Sequence, residues 1–263
     1  LMITTLLFLF FSHIAFSLSN FPIVHTSYGA VRGYEFRAKN GFVGEIFKKI
    51  PYASPPTGAR RWRKPEPPSV WNFTLDGTFF GPACAQVPSQ WSGYVTGMSE
   101  DCLTLNIYTS RQCRETGCPV AVYVHGGSVL FSGPLLFLDD VLVTNYASQG
   151  VVLVTIAYRL GVFGVLALGD ENALPANLAL HDTIESLRFV RKEIAHFGGD
   201  KDQITLMGHS AGASIVLALA FSPAVNKVGD MLFTRAIMMS AVMNFWKEEN
   251  IVERSRRLTA ILG

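Results

Sequence analysis

A five-residue segment, Gly208-His209-Ser210-Ala211-Gly212, lies between an apolar run of strand length and an apolar run of helical length. The first run is 204–207 and the second is 211–221. A serine at a sharp strand-to-helix turn needs small neighbours, because the backbone there is strained and passes close to adjacent structure. Glycines 208 and 212 meet that need. The segment therefore predicts a strand, a tight turn that presents Ser210, and a helix.

Two interpretations of Ser210 fit this pattern. In the first it is a nucleophile, exposed at the turn as in other Gly-x-Ser-x-Gly segments. In the second it only caps the helix, with its hydroxyl accepting hydrogen bonds from free backbone N–H groups. The strand, turn and helix together favour the nucleophile.

Two further apolar, β-branched runs, 120–124 and 151–156, also have strand length. Unbroken hydrophobicity of this kind is typical of strands that are covered on both faces. Apolar residues at helical spacing predict one amphipathic helix over 178–197. These residues are Leu180, Ile184, Leu187, Val190 and Ile194. Strands that alternate with helices indicate an α/β fold with a parallel sheet.

Composition supports a globular domain and excludes one class of partner. The 263 residues are 49% hydrophobic and 16% charged, which is typical of a chain with a large core. A net charge of +2 without a basic run gives no footprint for nucleic acid. No repeat or linker divides the chain. The proline-dense stretch 50–68 predicts extended chain with little regular structure.

The first 17 residues have the pattern of a signal peptide. An apolar run over 6–11 precedes Ala15-Phe16-Ser17, a small-x-small site of the kind that signal peptidase accepts. A membrane anchor is the alternative, but the run is too short to span about 30 Å of hydrocarbon. No Lys or Arg precedes it, and Leu1 precedes Met2, so the biological start stays open. The pattern predicts a secreted chain without an integral membrane segment after residue 17.

Export into an oxidising environment favours disulfides over metal ligands for the four cysteines. Four cysteines allow three connectivities. We favour Cys84–Cys102 and Cys113–Cys118, because each closes a short loop. No metal site and no cofactor is expected. The sequon Asn72-Phe73-Thr74 predicts a glycosylated surface segment.

A segment that we name the donor loop, residues 125–128, follows the first of these strands. Its sequence is His-Gly-Gly-Ser, and adjacent glycines let backbone N–H groups turn toward one point. Such donors stabilise the oxyanion that forms when a serine attacks a carbonyl, and the N–H of Ala211 would complete the set. A simple turn is the alternative, and the nearby serine segment makes it the weaker one.

Taken in order, these segments resemble the type-B carboxylesterases and cholinesterases over nearly all of the chain after residue 17. The matching motifs are Ile50-Pro51-Tyr52-Ala53-x-Pro55-Pro56, Ser99-Glu100-Asp101-Cys102-Leu103-x-Leu105-Asn106, Tyr158-Arg159-Leu160-Gly161, Phe197-Gly198-Gly199-Asp200 and Gly208-x-Ser210-Ala211-Gly212. The resemblance implies that residues 18–263 are the N-terminal part of such a domain. It also implies an incomplete α/β-hydrolase fold, with the sheet present through the turn at Ser210.

The resemblance further implies a secreted, cofactor-free enzyme that hydrolyses a small-molecule carboxylic ester through an acyl-serine intermediate. Ser210 matches the nucleophile, and the oxyanion positions are Gly127, Ser128 and Ala211. Cys84 and Cys102 match the pair that closes the family's first disulfide loop. Trp246 resembles the acyl-pocket tryptophan, although the spacing is one residue short.

Three departures from the family pattern bear on the substrate. Ser128 stands where a third glycine is usual, so it narrows the oxyanion site or places its backbone in a costlier conformation. His209 replaces a glutamate of cholinesterases, which removes negative charge beside the serine and disfavours cationic choline esters. Trp91 lies one position away from the choline-stacking tryptophan and is better interpreted as an aromatic at the rim.

No histidine follows Ser210 in the sequence. In this fold the catalytic order is serine, acid, histidine. The histidines at 125, 181, 196 and 209 fit other positions, in the donor loop, on the predicted helix and beside the serine. We therefore expect the chain to stop before the catalytic acid and histidine. The alternative function is a cholinesterase-like adhesion or binding protein that keeps the fold without turnover.

Overall fold

The computed structural model describes residues 21–87, 97–223, 225–227, 230–242 and 248–262. The strands of these segments are β1 (Ile23–His25), β2 (Ala30–Arg32), β3 (Tyr34–Arg37), β4 (Val43–Pro51), β5 (Thr74–Asp76), β6 (Ala83–Cys84), β7 (Met98–Ser99), β8 (Thr104–Thr109), β9 (Cys118–Val124), β10 (Val152–Ile156), β11 (Gly199–His209), β12 (Asn226–Lys227), β13 (Asp230–Met231) and β14 (Arg235–Met239). The helices are α1 (Arg111–Thr116), α2 (Asp139–Asn145), α3 (Gly161–Val165), α4 (Leu178–Glu193), α5 (Ala211–Ala220) and α6 (Glu248–Leu262).

The central sheet has the strand order β14-β11-β9-β10-β8-β4-β3. Strands β9, β10, β11 and β14 run parallel, whereas β8, β4 and β3 pair antiparallel with their neighbours. The prediction of a parallel sheet is therefore wrong for one half of it. Helices α2, α4 and α5 connect the parallel strands as crossovers, but β3 and β4 are joined by a short turn, which allows only antiparallel pairing.

Three predicted strands are confirmed with small changes of boundary. Strand β9 begins at Cys118 and β10 at Val152, each close to its predicted start. Strand β11 is much longer than the predicted 204–207, because it extends back through the polar residues Asp200 to Gln203. All of β10 is buried, as its unbroken apolar sequence predicts.

The predicted helix over 178–197 is present as two consecutive elements. Helix α4 ends at Glu193, and a 3₁₀ turn continues from Ile194 to Phe197. The turn ends at Gly198, which has a φ of 83° and accommodates the left-handed conformation that follows many helices. The apolar face of α4 packs on the sheet, where Leu178, Ala179, Ile184, Leu187 and Val190 are buried.

The proline-dense stretch 50–68 contains little regular structure, as predicted. Apart from the end of β4, it holds one 3₁₀ turn, Gly58–Arg60. Both favoured disulfides are present, Cys84–Cys102 and Cys113–Cys118. The sequon residue Asn72 is exposed. The predicted signal peptide, Trp91 and Trp246 lie outside the described residues.

Candidate active site

Ser210 forms the turn between β11 and α5, with φ 54° and ψ −124°. An L-residue adopts this conformation only at a cost, and the surrounding structure must hold it there. The backbone N–H of Ser210 donates a hydrogen bond to the carbonyl of Met239 in β14, at 2.9 Å. Its side chain makes no capping hydrogen bond to α5. The interpretation of Ser210 as a helix cap is therefore wrong.

The two flanking glycines are required by close packing. A Cβ on Gly212 would lie 2.2 Å from the carbonyl oxygen of Val124, and a Cβ on Gly208 would lie 2.6 Å from the carbonyl carbon of Gly212. Both distances are far below normal contact. The turn can therefore approach strand β9 only because Gly212 has no side chain, and it can fold back on itself only because Gly208 has none.

The donor loop lies directly against this turn. A Cβ on Gly126 would be 3.1 Å from the Cβ of Ser210 and 2.8 Å from the carbonyl oxygen of His209. The next three residues have positive φ: 100° at Gly127, 56° at Ser128 and 59° at Val129. Ser128 thus occupies a conformation that favours glycine, in line with its departure from the family pattern. Such backbone can aim successive N–H groups at one anion.

Two backbone carbonyls, one in the donor loop and one directly after it, accept hydrogen bonds from the chain that follows β10. The hydroxyl of Tyr158 donates to the carbonyl of His125 at 2.6 Å, and the N–H of Gly161 donates to the carbonyl of Val129 at 2.7 Å. The rings of Tyr158 and His125 also stack, with centroids 4.3 Å apart. Tyr158 belongs to the Tyr158-Arg159-Leu160-Gly161 motif, but its role in holding the donor loop was not predicted from the sequence.

His125 is buried, and burial lowers its pKa to about 4. Its Nδ1 lies 2.9 Å from the carbonyl oxygen of Gly126, which fits a neutral ring that donates from Nδ1. The imidazole is therefore neutral at pH 7 and fixes the donor loop. A base with so low a pKa would be a poor proton acceptor for Ser210.

Behind the loop, Arg159 and Asp182 form a buried ion pair. The carboxylate of Asp182 accepts from Nε and Nη2 of Arg159 at 2.8 and 2.6 Å, and from the Arg159 backbone N–H at 3.0 Å. Both side chains are almost inaccessible. This pair joins α4 to the residue next to Tyr158, so it supports the tyrosine that holds His125.

The remaining histidines of the described segments take positions outside the loop, and the first of them, His25, is exposed at the end of β1. His181 lies on α4, where burial is the largest cause that lowers its pKa. His196 lies in the 3₁₀ turn, with Nε2 3.6 Å from a carboxylate oxygen of Glu193. His209 is exposed beside Ser210. Within the described part of the chain no cluster of three His, Cys, Asp or Glu side chains could hold a metal ion.

Three segments that bond the donor loop, the turn at Ser210 or helix α5 expose apolar side chains. Leu130 follows the donor loop, Met239 bonds Ser210 through its backbone, and Val242 bonds the hydroxyl of Ser214. Their exposed fractions are 46%, 38% and 57%. None of the described helices is both long enough and apolar enough to cross a bilayer.

Comparison with known proteins gives a consistent result. The model described as the carboxylesterase family matches residues 20–263. Gut esterase 1 from Caenorhabditis briggsae is 38% identical over 247 residues, which cover 92% of this chain and 42% of that protein. Neuroligin-2 from Mus musculus is 35% identical over 284 aligned positions, which cover 92% of this chain and 33% of that protein. The chain thus spans less than half the length of these relatives.

Solved structures share the arrangement of the sheet and helices. A PNB esterase is similar with a TM-score of 0.80 and 37% identity, over 93% of this chain and 49% of that structure. Juvenile hormone esterase from Manduca sexta with OTFP covalently attached is similar with a TM-score of 0.83 and 32% identity, over 93% of this chain and 46% of that structure.

Proposed function

Because the chain belongs to the carboxylesterase family and has part of the α/β-hydrolase fold, we propose that it carries Ser210 as the nucleophile of a serine carboxylic-ester hydrolase. One observation carries this proposal. Ser210 is held at a strained turn with no capping hydrogen bond, directly against the donor loop. A structural serine has no need of such strain, whereas a nucleophile needs its hydroxyl free and near oxyanion donors.

In the proposed reaction the Oγ of Ser210 attacks the ester carbonyl while a base takes its proton. The N–H groups of Gly127, Ser128 and Ala211 stabilise the negative charge that develops on the carbonyl oxygen. Collapse breaks the bond to the alcohol, which leaves with the proton from the base. Water then attacks the acyl-serine in the same way and releases the acid.

We do not assign the catalytic base or its orienting acid to any of the described residues. His125 is a poor proton acceptor, and His181 and His196 lie on or after α4. The matched esterase is more than twice as long as this chain. We propose that the acid and the histidine come from sequence beyond Gly263, in the order serine, acid, histidine.

Neutral, apolar esters are the proposed substrates. Leu130 follows the donor loop and Val242 bonds Ser214 on the helix that begins after Ser210, and both side chains are exposed. The residue before the serine is a histidine, so no carboxylate stands there to attract a cation. Choline esters, which carry a permanent positive charge, would therefore gain nothing from this side of the turn.

Export from the cell is proposed on separate grounds. Two disulfides at Cys84–Cys102 and Cys113–Cys118 are typical of proteins from oxidising compartments. Asn72 is exposed and lies in an acceptor sequon, so a glycan could be attached there. The apolar run near the N-terminus supplies the targeting signal in this proposal.

The second candidate function is a binding protein that keeps the fold without turnover. A specific observation favours it: the relatives include neuroligin-2, whose name is not that of an esterase. The positive φ of Ser128 also shows a costlier donor loop than one with glycine. Turnover that depends on Ser210 separates the two candidates.

The test is hydrolysis of a simple aryl ester by the complete protein that contains this chain. Ser210→Ala should lower kcat to the background rate, by several orders of magnitude. Ser148→Ala is a matched control, since the hydroxyl of Ser148 bonds the carbonyl of Thr144 and the side chain of Gln149, far along the chain from Ser210. Equal turnover in the parent and Ser210→Ala would reject the esterase in favour of the binding protein or another site.

A further inference from the structure

The side-chain amide of Gln86 brackets the backbone of Ser132. Its Nε2 donates to the carbonyl oxygen of Ser132 at 2.9 Å, and its Oε1 accepts from the N–H of Ser132 at 2.8 Å. The same Nε2 also donates to the carbonyl of Cys84 at 3.1 Å. One side chain therefore satisfies both backbone groups of Ser132, as a neighbouring strand would do.

Ser132 needs this support because its backbone is strained. Its φ is 98°, a region in which L-residues are rare and which persists only when surrounding contacts impose it. An alternative partner for its N–H and carbonyl would be water, which imposes no position. Gln86 replaces water with one fixed partner.

The position of Ser132 is transmitted to the donor loop by direct packing. The N–H groups of Leu130 and Phe131 both donate to the carbonyl of Gly127, at 2.9 and 3.1 Å. A Cβ on Gly127 would be 2.0 Å from the carbonyl oxygen of Phe131 and 3.0 Å from the Cβ of Ser132. The chain thus folds back onto Gly127, so displacement of Ser132 would displace the N–H groups of Gly127 and Ser128.

Tyr158 and Gly161 hold other parts of the same segment, at His125 and Val129. Both come from the chain after β10. Gln86 comes from a different place, two residues after Cys84 and its disulfide, where Ala85 donates to the carbonyl of Ser99. Gln86 therefore links the segment that begins at the Cys84–Cys102 disulfide to Ser132, four residues after the donor loop.

We propose that Gln86 is a positioning residue for the oxyanion site: its amide fixes Ser132 and thereby aims the N–H groups of Gly127 and Ser128 at the developing oxyanion. This inference rests on the proposed esterase function. A misplaced oxyanion donor weakens transition-state binding more than substrate binding. Loss of Gln86 should therefore lower kcat and leave KM nearly unchanged.

The experiment uses the complete protein and three variants, Gln86→Ala, Gln86→Glu and the matched control Gln112→Glu at an exposed position of α1. Hydrolysis of an aryl ester is measured per serine labelled at completion by a fluorophosphonate. We expect kcat of Gln86→Ala to fall about 10- to 100-fold with KM within about twofold. Affinity for a trifluoromethyl ketone, which binds as a tetrahedral adduct, should fall by a similar factor. The control should match the parent.

The pH dependence of kcat in Gln86→Glu distinguishes a positioning role from a merely structural one. An ionised carboxylate still accepts from Ser132 but repels its carbonyl, whereas a protonated carboxyl regains one donor. Its kcat relative to the parent should therefore recover as pH falls, while the same ratio for Gln86→Ala stays flat. Thermal unfolding of each variant checks that the protein is folded.

Three results would overturn the inference. Turnover that depends on Ser210 but is unchanged in Gln86→Ala rejects the positioning role and leaves the proposed function intact. Turnover that persists in Ser210→Ala rejects the proposed function and this inference with it. A fall in kcat for Gln86→Glu that does not recover at low pH also contradicts the hydrogen-bond pairing with Ser132.

Discussion

Gly126 lies so close to Ser210 that a Cβ on the glycine would be 3.1 Å from the Cβ of the serine. The same Cβ would also be 2.8 Å from the backbone carbonyl oxygen of His209. The first distance requires a small adjustment, and the second requires the backbone to move. The absence of a side chain at Gly126 therefore sets how near the donor loop comes to the serine.

Gly126→Ala should push the donor loop away from Ser210. Because displacement of about 1 Å near reacting groups can cost about 100-fold in rate, we expect kcat for an aryl ester to fall at least tenfold. Gly133→Ala is the matched control, since a Cβ there meets a single atom at 3.9 Å. Parental kcat in a folded Gly126→Ala variant would show that this contact does not position the loop.

The burial of His125 predicts a pH dependence of stability. Its pKa is about 4 in the folded chain and 6.5 in the reference state. Between these values the unfolded chain binds a proton that the folded chain does not, so the free energy of unfolding decreases as pH falls. The stability is complete above about pH 6.5, and the loss by pH 4 is on the order of 3 kcal/mol.

Urea unfolding of the complete protein and of His125→Gln at pH 7 and pH 5 measures this effect. His181, whose pKa is also lowered, contributes in the same direction but is present in both proteins. The parent should therefore lose more stability than the variant between the two pH values. An equal loss in both would show that His125 does not titrate with a lowered pKa.

The turn at Ser210 was predictable because it depends on residues that are adjacent in sequence. Two glycines, a preceding apolar strand and a following apolar helix define it, and the structure places Ser210 at that turn. Strand β10 was predictable for a similar reason, since a run of buried β-branched residues reports burial on both faces. The two disulfides were predictable because each joins cysteines that are close in sequence.

Other features depend on partners that sequence alone does not pair. Strand β8 was not predicted, and its antiparallel pairing with β10 made the sheet mixed. The first half of β11 was not predicted, because the polar residues before Ile204 do not have the apolar pattern of a buried strand. Gln86 gave no signal at all, because a single glutamine in a loop does not indicate which backbone it will contact. The positive φ of Val129 likewise follows from long-range packing.

Export predicts a defined N-terminus and defined crosslinks. A secretory host should release protein that begins near Leu18, with Cys84 joined to Cys102 and a glycan at Asn72. Peptide mapping without reduction measures all three. A free thiol at Cys84 in folded secreted protein, or an intact residue 1–17 segment, would contradict the proposed export.

The 263-residue chain expressed alone should show no turnover above background and should aggregate. In this fold the base follows the serine in sequence and no histidine follows Ser210 in these 263 residues, so the serine would stay protonated. Strand β14 is at the end of the described sheet and exposes Ile237, Met238 and Met239 by 47%, 40% and 38%. An open apolar edge of this kind favours association. Aryl ester hydrolysis and size-exclusion chromatography measure both, and a monomer with Ser210-dependent turnover would show a complete site in these residues.

The central claim is that Ser210 is an activated nucleophile, and covalent labelling tests it most directly. The complete protein is treated with a fluorophosphonate, which reacts at useful speed only with an activated serine, and the adduct is located by peptide mass spectrometry. Our account predicts one adduct, on Ser210, that is lost in Ser210→Ala and retained in Ser148→Ala. Equal labelling of the parent and Ser210→Ala, or an adduct at another serine, would contradict it.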